Sequence, residues 1–225
     1  MCGIIGIAIR DFKETDRTQV RDLFLQSQIR GKHATGVSYV KGDQVHTIKE
    51  PVPAEKFLEN KNIEDWINED GNLYCIGHVR YCTSGFEFNQ PIASYELSVV
   101  HNGVISQENH ESWYERYALH AVNTNDSELV LRCLEDERHP LEHFPDASMA
   151  VCTIRNNKTI TAFRNHARPL YKSIHERGII FTSTGDIAKR SLLSKTKKCD
   201  MFHEYIVENF STKVVEYSAT SGDLQ

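Results

Sequence analysis

The sequence predicts an α+β fold in which mostly antiparallel sheets are covered by helices. Strand candidates outnumber helix candidates along the 225 residues. Two pairs of strands are joined by short turns as hairpins, and strands do not alternate strictly with helices. A short turn joins antiparallel neighbours, whereas parallel strands need a long crossover. The pattern therefore favours antiparallel sheets.

The N-terminal region begins with a strand that is followed by a helix. Cys2–Ile9 is a short apolar run, which is typical of a buried strand. A polar start at Thr15–Asp16 precedes apolar residues with roughly helical spacing, namely Val20, Leu23, Phe24 and Ile29. We therefore expect a strand and then a helix before the first hairpin.

Two hairpins are predicted from turn residues between strand-like runs. The first joins Thr35–Val40 to Gln44–Lys49 across a glycine turn, and the second joins Met149–Ile154 to Thr159–Phe163 across an Asn-Asn turn. The remaining candidates are strands at Asn72–Arg80, Leu97–Val100 and Gly178–Thr182, and helices at Asp126–Cys133 and Asp186–Leu193.

Length and composition are those of a soluble globular protein. A chain of 225 residues, 40% apolar and 25% charged, fits one large domain. The net charge of −5 gives no basic footprint for nucleic acid. No apolar run is long enough to span a membrane, and the N-terminus has no signal-peptide pattern. We expect a cytoplasmic protein.

The cysteines give no metal or dithiol signature. The six are scattered along the chain, at Cys2, Cys75, Cys82, Cys133, Cys152 and Cys199. No two form a Cys-x-x-Cys pair, so the pattern predicts neither zinc nor a redox dithiol. We expect no metal, no cofactor and a reducing compartment.

Cys2 is the most informative residue because it directly follows the initiator methionine. Removal of Met1 would leave a thiol nucleophile and a free α-amine on the same residue. An α-amine titrates at about 7.7–8.0, so near pH 7 a fraction is neutral and able to accept the thiol proton. The alternative is a cysteine that packs as a small apolar residue in a buried strand.

Three further polar positions lie where predicted elements begin or end, and each has a structural alternative. Arg80 ends a strand, where its guanidinium would clamp a carboxylate or form a surface salt bridge. Asn102 and Gly103 supply the two converging donors that an oxyanion hole needs, although Asn-Gly taken alone favours a plain hairpin turn. Asp126 would cap a helix or bind an ammonium group.

Taken together, these segments resemble the class II glutamine amidotransferase domain, a branch of the N-terminal nucleophile hydrolases. Relatives include the glutaminase domains of amidophosphoribosyltransferase, glucosamine-6-phosphate synthase and asparagine synthetase. The opening Cys-Gly-Ile-x-Gly is similar to theirs, and the resemblance runs from Cys2 to about Ser191. The matching motifs, in order, are Gly77–Gly85, Asn89-Gln90-Pro91, His101-Asn102-Gly103, Asp126-Ser127-Glu128, Arg168-Pro169-Leu170 and Phe181-Thr182-Ser183-Thr184.

The resemblance implies a four-layer αββα sandwich and a catalytic role for several matching residues. Cys2 would be the nucleophile, with its own α-amine as the base. Asn102 and the backbone N–H of Gly103 would hold the oxyanion. Arg30 would position the Cys2 terminus.

The resemblance also implies how glutamine is bound. Arg80 would bind the α-carboxylate and Asp126 the α-ammonium group, so that opposite charges recognise the two ends of the amino acid. Tyr81, Thr83 and Ser84 would belong to a loop that closes over the substrate.

We expect residues 1–225 to form one glutamine amidotransferase type-2 domain, with no synthase domain in the chain. The leading prediction is a glutaminase subunit that hydrolyses glutamine through a Cys2 thioester and releases ammonia to a separate synthetase or transferase. An alternative is a stand-alone hydrolase of other γ-glutamyl amides, because Arg80 and Asp126 read only the amino-acid end. An alternative of another class is a non-catalytic interaction module.

Overall fold

The computed structural model describes residues 2–81, 89–166 and 168–218. Within these ranges the strands are β1 Gly3–Ile9, β2 Ala34–Lys41, β3 Gln44–Glu50, β4 Leu73–Arg80, β5 Ile92–Ala93, β6 Leu97–Val104, β7 Ser148–Arg155, β8 Ile160–Arg164, β9 Tyr171–His175, β10 Gly178–Thr182, β11 Thr196–Lys198, β12 His203–Glu208 and β13 Ser211–Glu216. The helices are α1 Glu14–Ser27, α2 Ala54–Glu59, α3 Trp113–Tyr117, α4 Ser127–Glu135, α5 Pro140–His143 and α6 Gly185–Arg190, with 3₁₀ turns at Ile63–Trp66 and His110–Ser112.

The strands form two sheets in which neighbouring strands are antiparallel. The seven-stranded sheet has the order β11-β9-β10-β1-β4-β2-β3. The six-stranded sheet has the order β13-β12-β8-β7-β6-β5. The predicted antiparallel α+β class is confirmed.

Three apolar cores separate four layers. The first core joins α1 and α2 to the seven-stranded sheet, the second lies between the two sheets, and the third joins the six-stranded sheet to α4 and α5. Representative members are Ile7 and Phe24 in the first core, Ile4 and Val100 in the second, and Val99 and Leu129 in the third. The arrangement is the αββα sandwich, with both sheets as inner layers.

β1 is buried on both faces because it lies in the middle of an inner layer. Ile5, Ile7 and Ile9 belong to the core against the helices, whereas Ile4 and Ala8 belong to the core between the sheets. The alternation follows the two-residue period of a strand. A strand covered on both faces reads as a continuous apolar run, which explains the apolar start of the chain.

The two predicted hairpins are confirmed as β2–β3 and β7–β8. Some predicted ends are wrong, and the helix predicted over Asp186–Leu193 ends at Arg190. The helix predicted to extend to Ile29 ends at Ser27, and Ile29 is 53% exposed. The strand predicted over Leu97–Val100 continues to Val104, because β6 goes on pairing with β7. Asn102 and Gly103 therefore lie within a strand, and the alternative of an Asn-Gly hairpin turn is wrong.

Several short elements were not predicted from the sequence. They are α2, α3, α5, β5, β9, β11, β12 and β13, none of which is longer than six residues. Segments of this length are too short to show a clear period. Pairing with neighbours forms the strands among them, as where β12 joins β8 to β13.

No helix in the described part of the chain is long and apolar enough to cross a membrane. Within the same ranges, no three or more His, Cys, Asp or Glu side chains are grouped so as to hold a metal ion. The cytoplasmic location and the lack of a cofactor stay predictions.

Candidate active site

The antiparallel pairing of β1 with β4 and β10 brings three chain segments together at one end of the seven-stranded sheet. Gly3 pairs with Val79 near the end of β4, and Ile5 pairs with Thr182 at the end of β10. Cys2, which directly precedes β1, therefore lies beside the residues that follow these two strands.

Side chains from three parts of the fold hold the backbone carbonyl of Cys2. Asn102 Nδ2, on β6, donates to Cys2 O at 2.7 Å. Arg30 Nε, just after α1, donates at 3.3 Å, and Ser183 Oγ, just after β10, donates at 3.4 Å. Because this carbonyl belongs to the residue that carries the thiol and the α-nitrogen, the three bonds restrict the orientation of both groups.

Ser183 is a site residue to which the sequence reasoning gave no role. Its Oγ accepts a short hydrogen bond from the backbone N–H of Ile4, and its own N–H donates to Ile4 O at 3.1 Å. A hydroxyl that accepts from Ile4 retains its hydrogen for the carbonyl of Cys2. The motif Phe181-Thr182-Ser183-Thr184 was the available signal, but nothing in it marks the serine as a partner of residue 2.

The thiol of Cys2 is half-buried. Its Sγ lies 3.7 Å from Tyr81 O, at the end of β4. Burial raises the pKa of the Cys2 thiol, against the opposing effects of the Tyr81 hydrogen bond, the chain terminus and the Arg80 and Arg30 guanidinium groups. The thiol is therefore mainly protonated near pH 7, and a nucleophilic reaction needs a base next to it.

Asn102 and Gly103 form the next part of the site, on β6. Asn102 is buried, and its side-chain nitrogen reaches the carbonyl of Cys2 across the space between the sheets. Gly103 has φ 151°, and a Cβ at this position would lie 1.7 Å from Ser148 O. Only glycine fits here, and it leaves the Asn102–Gly103 backbone close to β7.

Arg80 lies at the end of β4, and its side chain is buried in the cleft. Its Nη1 donates to Asn89 Oδ1 at 2.7 Å. Arg80 is 8% exposed, so the alternative of a surface salt bridge is wrong. A buried guanidinium that is oriented by a neutral amide is suited to binding a carboxylate.

Asp126 stands at the N-cap position of α4, but its carboxylate does not cap the helix. Asp126 Oδ2 instead accepts from Ile105 N at 2.6 Å. The capping alternative is therefore wrong. The bond links the start of α4 to the segment that follows β6, and it turns the carboxylate towards the site.

A cleft of about 780 Å³ is lined by every predicted site residue that the structure describes. These residues are Cys2, Arg30, Arg80, Tyr81, Asn102, Gly103 and Asp126. The structure brings them together, and their individual roles stay predictions. Thr83 and Ser84, which were predicted to bind substrate, lie outside the described residues, as does most of the loop from Tyr81 to Gly85.

Two buried histidines next to the cleft also had no predicted role. Burial, with smaller contributions from Arg80 and His101, lowers the pKa of His78 on β4 to about 3. Burial also lowers the pKa of His101 on β6, against the opposing effect of Asp126. Both rings are therefore neutral near pH 7 and are weak bases. Neither competes with an α-amine for the proton of the Cys2 thiol.

The chain has the fold of solved glutamine amidotransferase structures. Glutamine phosphoribosylpyrophosphate amidotransferase from B. subtilis matches with a TM-score of 0.76 and 16% identity, covering 96% of this chain and 49% of that chain. A structure described as the allosteric regulatory enzyme of purine biosynthesis matches with 0.73 and 17%, covering 96% and 49%. A glutamine aminotransferase class-II domain protein from Silicibacter pomeroyi matches with 0.60 and 11%, covering 97% and 100%.

These matches show the N-terminal nucleophile hydrolase fold, and at the level of the fold they confirm the resemblance found in the sequence. The chain spans about half the length of the first two matching chains. No family model matches the chain, and no curated protein matches it.

Proposed function

We propose that the chain is a glutaminase of the class II amidotransferase type, which hydrolyses glutamine to glutamate and ammonia. One observation carries the proposal. Cys2, the Asn102–Gly103 pair, Arg80 and Asp126 come from four separate segments, and all of them line the same cleft. The geometry supplies a nucleophile, two oxyanion donors and a charged group for each end of an amino acid.

Removal of Met1 precedes the reaction and frees the α-amine of Cys2. The amine takes the thiol proton, and the thiolate attacks the γ-carboxamide carbon of glutamine. The carbonyl oxygen becomes an oxyanion that Asn102 Nδ2–H and Gly103 N–H stabilise. The ammonium of Cys2 returns its proton to the leaving nitrogen, ammonia departs, and a γ-glutamyl thioester remains. Water, deprotonated by the same amine, hydrolyses the thioester to glutamate and restores the thiol.

The raised pKa of the Cys2 thiol supports a mechanism with a neighbouring base. A thiol that ionised by itself would need none. The buried histidines His78 and His101 are too weakly basic for this task, whereas the α-amine of Cys2 would lie on the same residue as the thiol. The three hydrogen bonds on the carbonyl of Cys2 support the same assignment, because they fix the frame that holds amine and thiol together.

We further propose that the ammonia passes to a separate synthetase or transferase protein. The support is that this fold occupies about half the length of two of the solved chains that match, one of them a phosphoribosylpyrophosphate amidotransferase. The single glutaminase domain over residues 1–225 belongs to the same proposal.

Hydrolysis of larger γ-glutamyl amides is the second candidate. The cleft of about 780 Å³ favours it, since this space is much larger than a glutamine side chain needs. The wall of the cleft also contains Glu108, His110, Glu111 and Trp113, to which hydrolysis of glutamine gives no role.

Labelling with 6-diazo-5-oxo-norleucine, an electrophilic glutamine analogue, tests the proposal. Intact-mass measurement should first show loss of Met1. We expect a single adduct at Cys2, prevented by glutamine, and none on the Cys2→Ser variant. Adducts at Cys75 or Cys133 with Cys2 unmodified would contradict the assignment, and retained Met1 would favour a non-catalytic module.

A further inference from the structure

The segment Asn89-Gln90-Pro91, which precedes β5, is fixed to the seven-stranded sheet. Lys49 Nζ, on β3, donates to Asn89 O at 2.8 Å and to Pro91 O at 3.1 Å. A Cβ on Gly36 of β2 would lie 2.3 Å from Gln90 O, so the glycine allows the segment to approach the strand closely. The segment therefore has a fixed position relative to this sheet.

The side chain of Gln90 connects the same segment to the six-stranded sheet. The β5–β6 register pairs Ile92 with Val99, and its continuation would set residue 90 opposite His101. The side-chain amide of Gln90 takes this place: Oε1 accepts from His101 N at 2.6 Å, and Nε2 donates to His101 O at 3.0 Å. Nε2 also donates to Ser127 Oγ at 3.0 Å.

These contacts are buried, so water does not substitute for them. Gln90 is 8% exposed, His101 3% and Ser127 1%. Ser127 Oγ also lies 3.0 Å from His101 Nδ1, which closes a small network of the three side chains. The hydrogen bonds of a buried network hold the bonded groups in one arrangement.

Asn89 makes the third connection of the segment. Its Oδ1 accepts from Arg80 Nη1 at 2.7 Å, and Asn89 is 7% exposed. An amide oxygen orients the guanidinium without adding a negative charge beside it. A carboxylate at this position would compete with an anionic ligand for Arg80.

Asn89 bonds to Arg80 directly, and Gln90 bonds to the immediate sequence neighbours of Asn102 and Asp126. We propose that Asn89 and Gln90 are positioning residues, which set the distances between the carboxylate clamp, the oxyanion donors and the ammonium acceptor. The inference rests on the proposed function and adds to it the residues that hold the substrate groups in register.

Two substitutions of Asn89 separate positioning from packing. Asn89→Asp keeps the shape and the acceptor but adds a charge, and we expect it to raise KM for glutamine about tenfold or more with kcat within about twofold. Asn89→Ala adds no charge and should raise KM less. A packing role predicts the reverse order, because alanine loses more contacts than aspartate, and that order would overturn the proposal for Asn89.

Two reagents test Gln90. Labelling of Cys2 by 6-diazo-5-oxo-norleucine needs the amino-acid clamps, whereas labelling by iodoacetamide needs only a reactive thiol. We expect Gln90→Ala to slow labelling by 6-diazo-5-oxo-norleucine about tenfold or more. The rate of labelling by iodoacetamide should stay within about twofold of the wild-type rate. Gln90→Glu keeps the acceptor for His101 N but loses both donated bonds, so it should act in the same direction, and it decides the question if Gln90→Ala fails to fold.

Gln44→Ala is the matched control. Gln44 is exposed on β3, and its amide donates to Tyr95 OH at 3.2 Å, away from the cleft. Its labelling rates should equal those of the wild type. The positioning proposal is wrong, and the proposed function stands, if the wild type is labelled and both Gln90 variants are labelled at the wild-type rates. The same conclusion follows if the variants slow labelling by both reagents equally. If the wild type is not labelled at Cys2, the proposed function itself fails.

Discussion

At the scale of single residues, the amide of Asn102 has two neighbours and two N–H groups. Its nitrogen lies 2.7 Å from Cys2 O and 3.3 Å from Ser183 Oγ. Ser183 Oγ already accepts from Ile4 N, so the longer contact is the weaker of the two. The N–H on that side is the one that would turn to a developing oxyanion, while the other keeps Cys2 in place.

We expect Asn102→Ala to lower kcat for glutamine about a hundredfold or more, because an oxyanion donor acts mainly in the transition state. Steady-state kinetics on protein that has lost Met1 provides the measurement. Ser183→Ala removes hydrogen bonds to Cys2 O, Ile4 N and Asn102 Nδ2 but no predicted oxyanion donor, and its smaller loss of kcat serves as the comparison. A change confined to KM in Asn102→Ala would show that the oxyanion role is wrong.

Substitutions of Arg80 and Asp126, the charged residues proposed to bind the ends of the substrate, should mainly change KM, whereas substitution of Asn102 mainly changes kcat. Arg80→Lys keeps the charge but loses the planar fork, and Asp126→Asn keeps the acceptor for Ile105 N but loses the charge. Both should mainly raise KM, by about tenfold, with a smaller change in kcat. If kcat falls while KM stays constant, these residues do not bind the two ends of the substrate.

His78 gives a prediction about stability and pH. Its pKa is about 3 in the folded chain, against about 6.5 unfolded, so below pH ~6.5 only the unfolded chain binds this proton. As the pH is lowered from ~6 to ~4, the contribution of His78 should therefore decrease the free energy of unfolding by about 1.4 kcal/mol per pH unit. Urea denaturation of His78→Gln should show a slope that is shallower by this amount than the wild-type slope. Equal slopes in the two proteins would contradict the assignment.

At the scale of elements, the site depends on how closely the turn after α1 approaches the end of β4. A Cβ on Gly31 would lie 2.3 Å from Arg80 C and from Tyr81 N. Gly31 is thus the residue that lets Arg30 reach the carbonyl of Cys2 while Arg80 remains in the cleft. Arg30 and Arg80 were both predicted from the sequence to belong to the site. The sequence did not show that a glycine allows the turn that carries Arg30 to approach the end of β4.

We expect Gly31→Ala to push the turn and β4 apart, lowering both kcat/KM and stability, the latter by about 1–3 kcal/mol. Gly42→Ala is the control, because a Cβ there meets nothing within 4 Å. Its φ of +59° still strains alanine, so it should cost about 1 kcal/mol of stability and leave kcat/KM unchanged. Denaturation and kinetics on both variants separate the two effects, and full activity in Gly31→Ala would show that the close approach is not needed for the site.

At the scale of the whole molecule, the two sheets meet so that the cleft opens at the ends of β1, β4 and β6. Most of the described residues that line the cleft are polar or charged, although Trp113 of the third core lines it as well. Whether the substrate is glutamine or a bulkier amide depends on the whole cleft, because Arg80 and Asp126 would bind the same amino-acid end in both cases.

Turnover of glutamine and of γ-glutamyl anilide, with and without cell extract, distinguishes a glutaminase that delivers ammonia from a γ-glutamyl amide hydrolase. If ammonia is delivered to a partner, the chain alone should hydrolyse glutamine slowly, and extract that contains the partner and its acceptor should raise turnover. The anilide should be the poorer substrate. Fast cleavage of the anilide that does not depend on extract, with glutamine nearly inert, would favour the γ-glutamyl amide hydrolase.

Much of the fold was predictable because the long elements carry their pattern locally. The run before Ile9 and the two hairpins are specified by apolar periodicity and turn residues over a few positions. The end of β6 was not predictable, because Asn-Gly is a strong local turn signal and pairing with β7 overrides it. The short strands after residue 170 depend on pairing in the same way.

The sequence by itself determined the α+β class, the family resemblance and the set of candidate residues, since these depend on residue type, order and position in the chain. The tertiary structure alone decided that Cys2, Arg30, Asn102 and Ser183 meet at one carbonyl, and that Asp126 turns to Ile105 N instead of capping α4. The physical reason is that hydrogen bonds between residues 21 to 181 positions apart are fixed by strand register and by the packing of two sheets. Neither of these is encoded in any single stretch of chain.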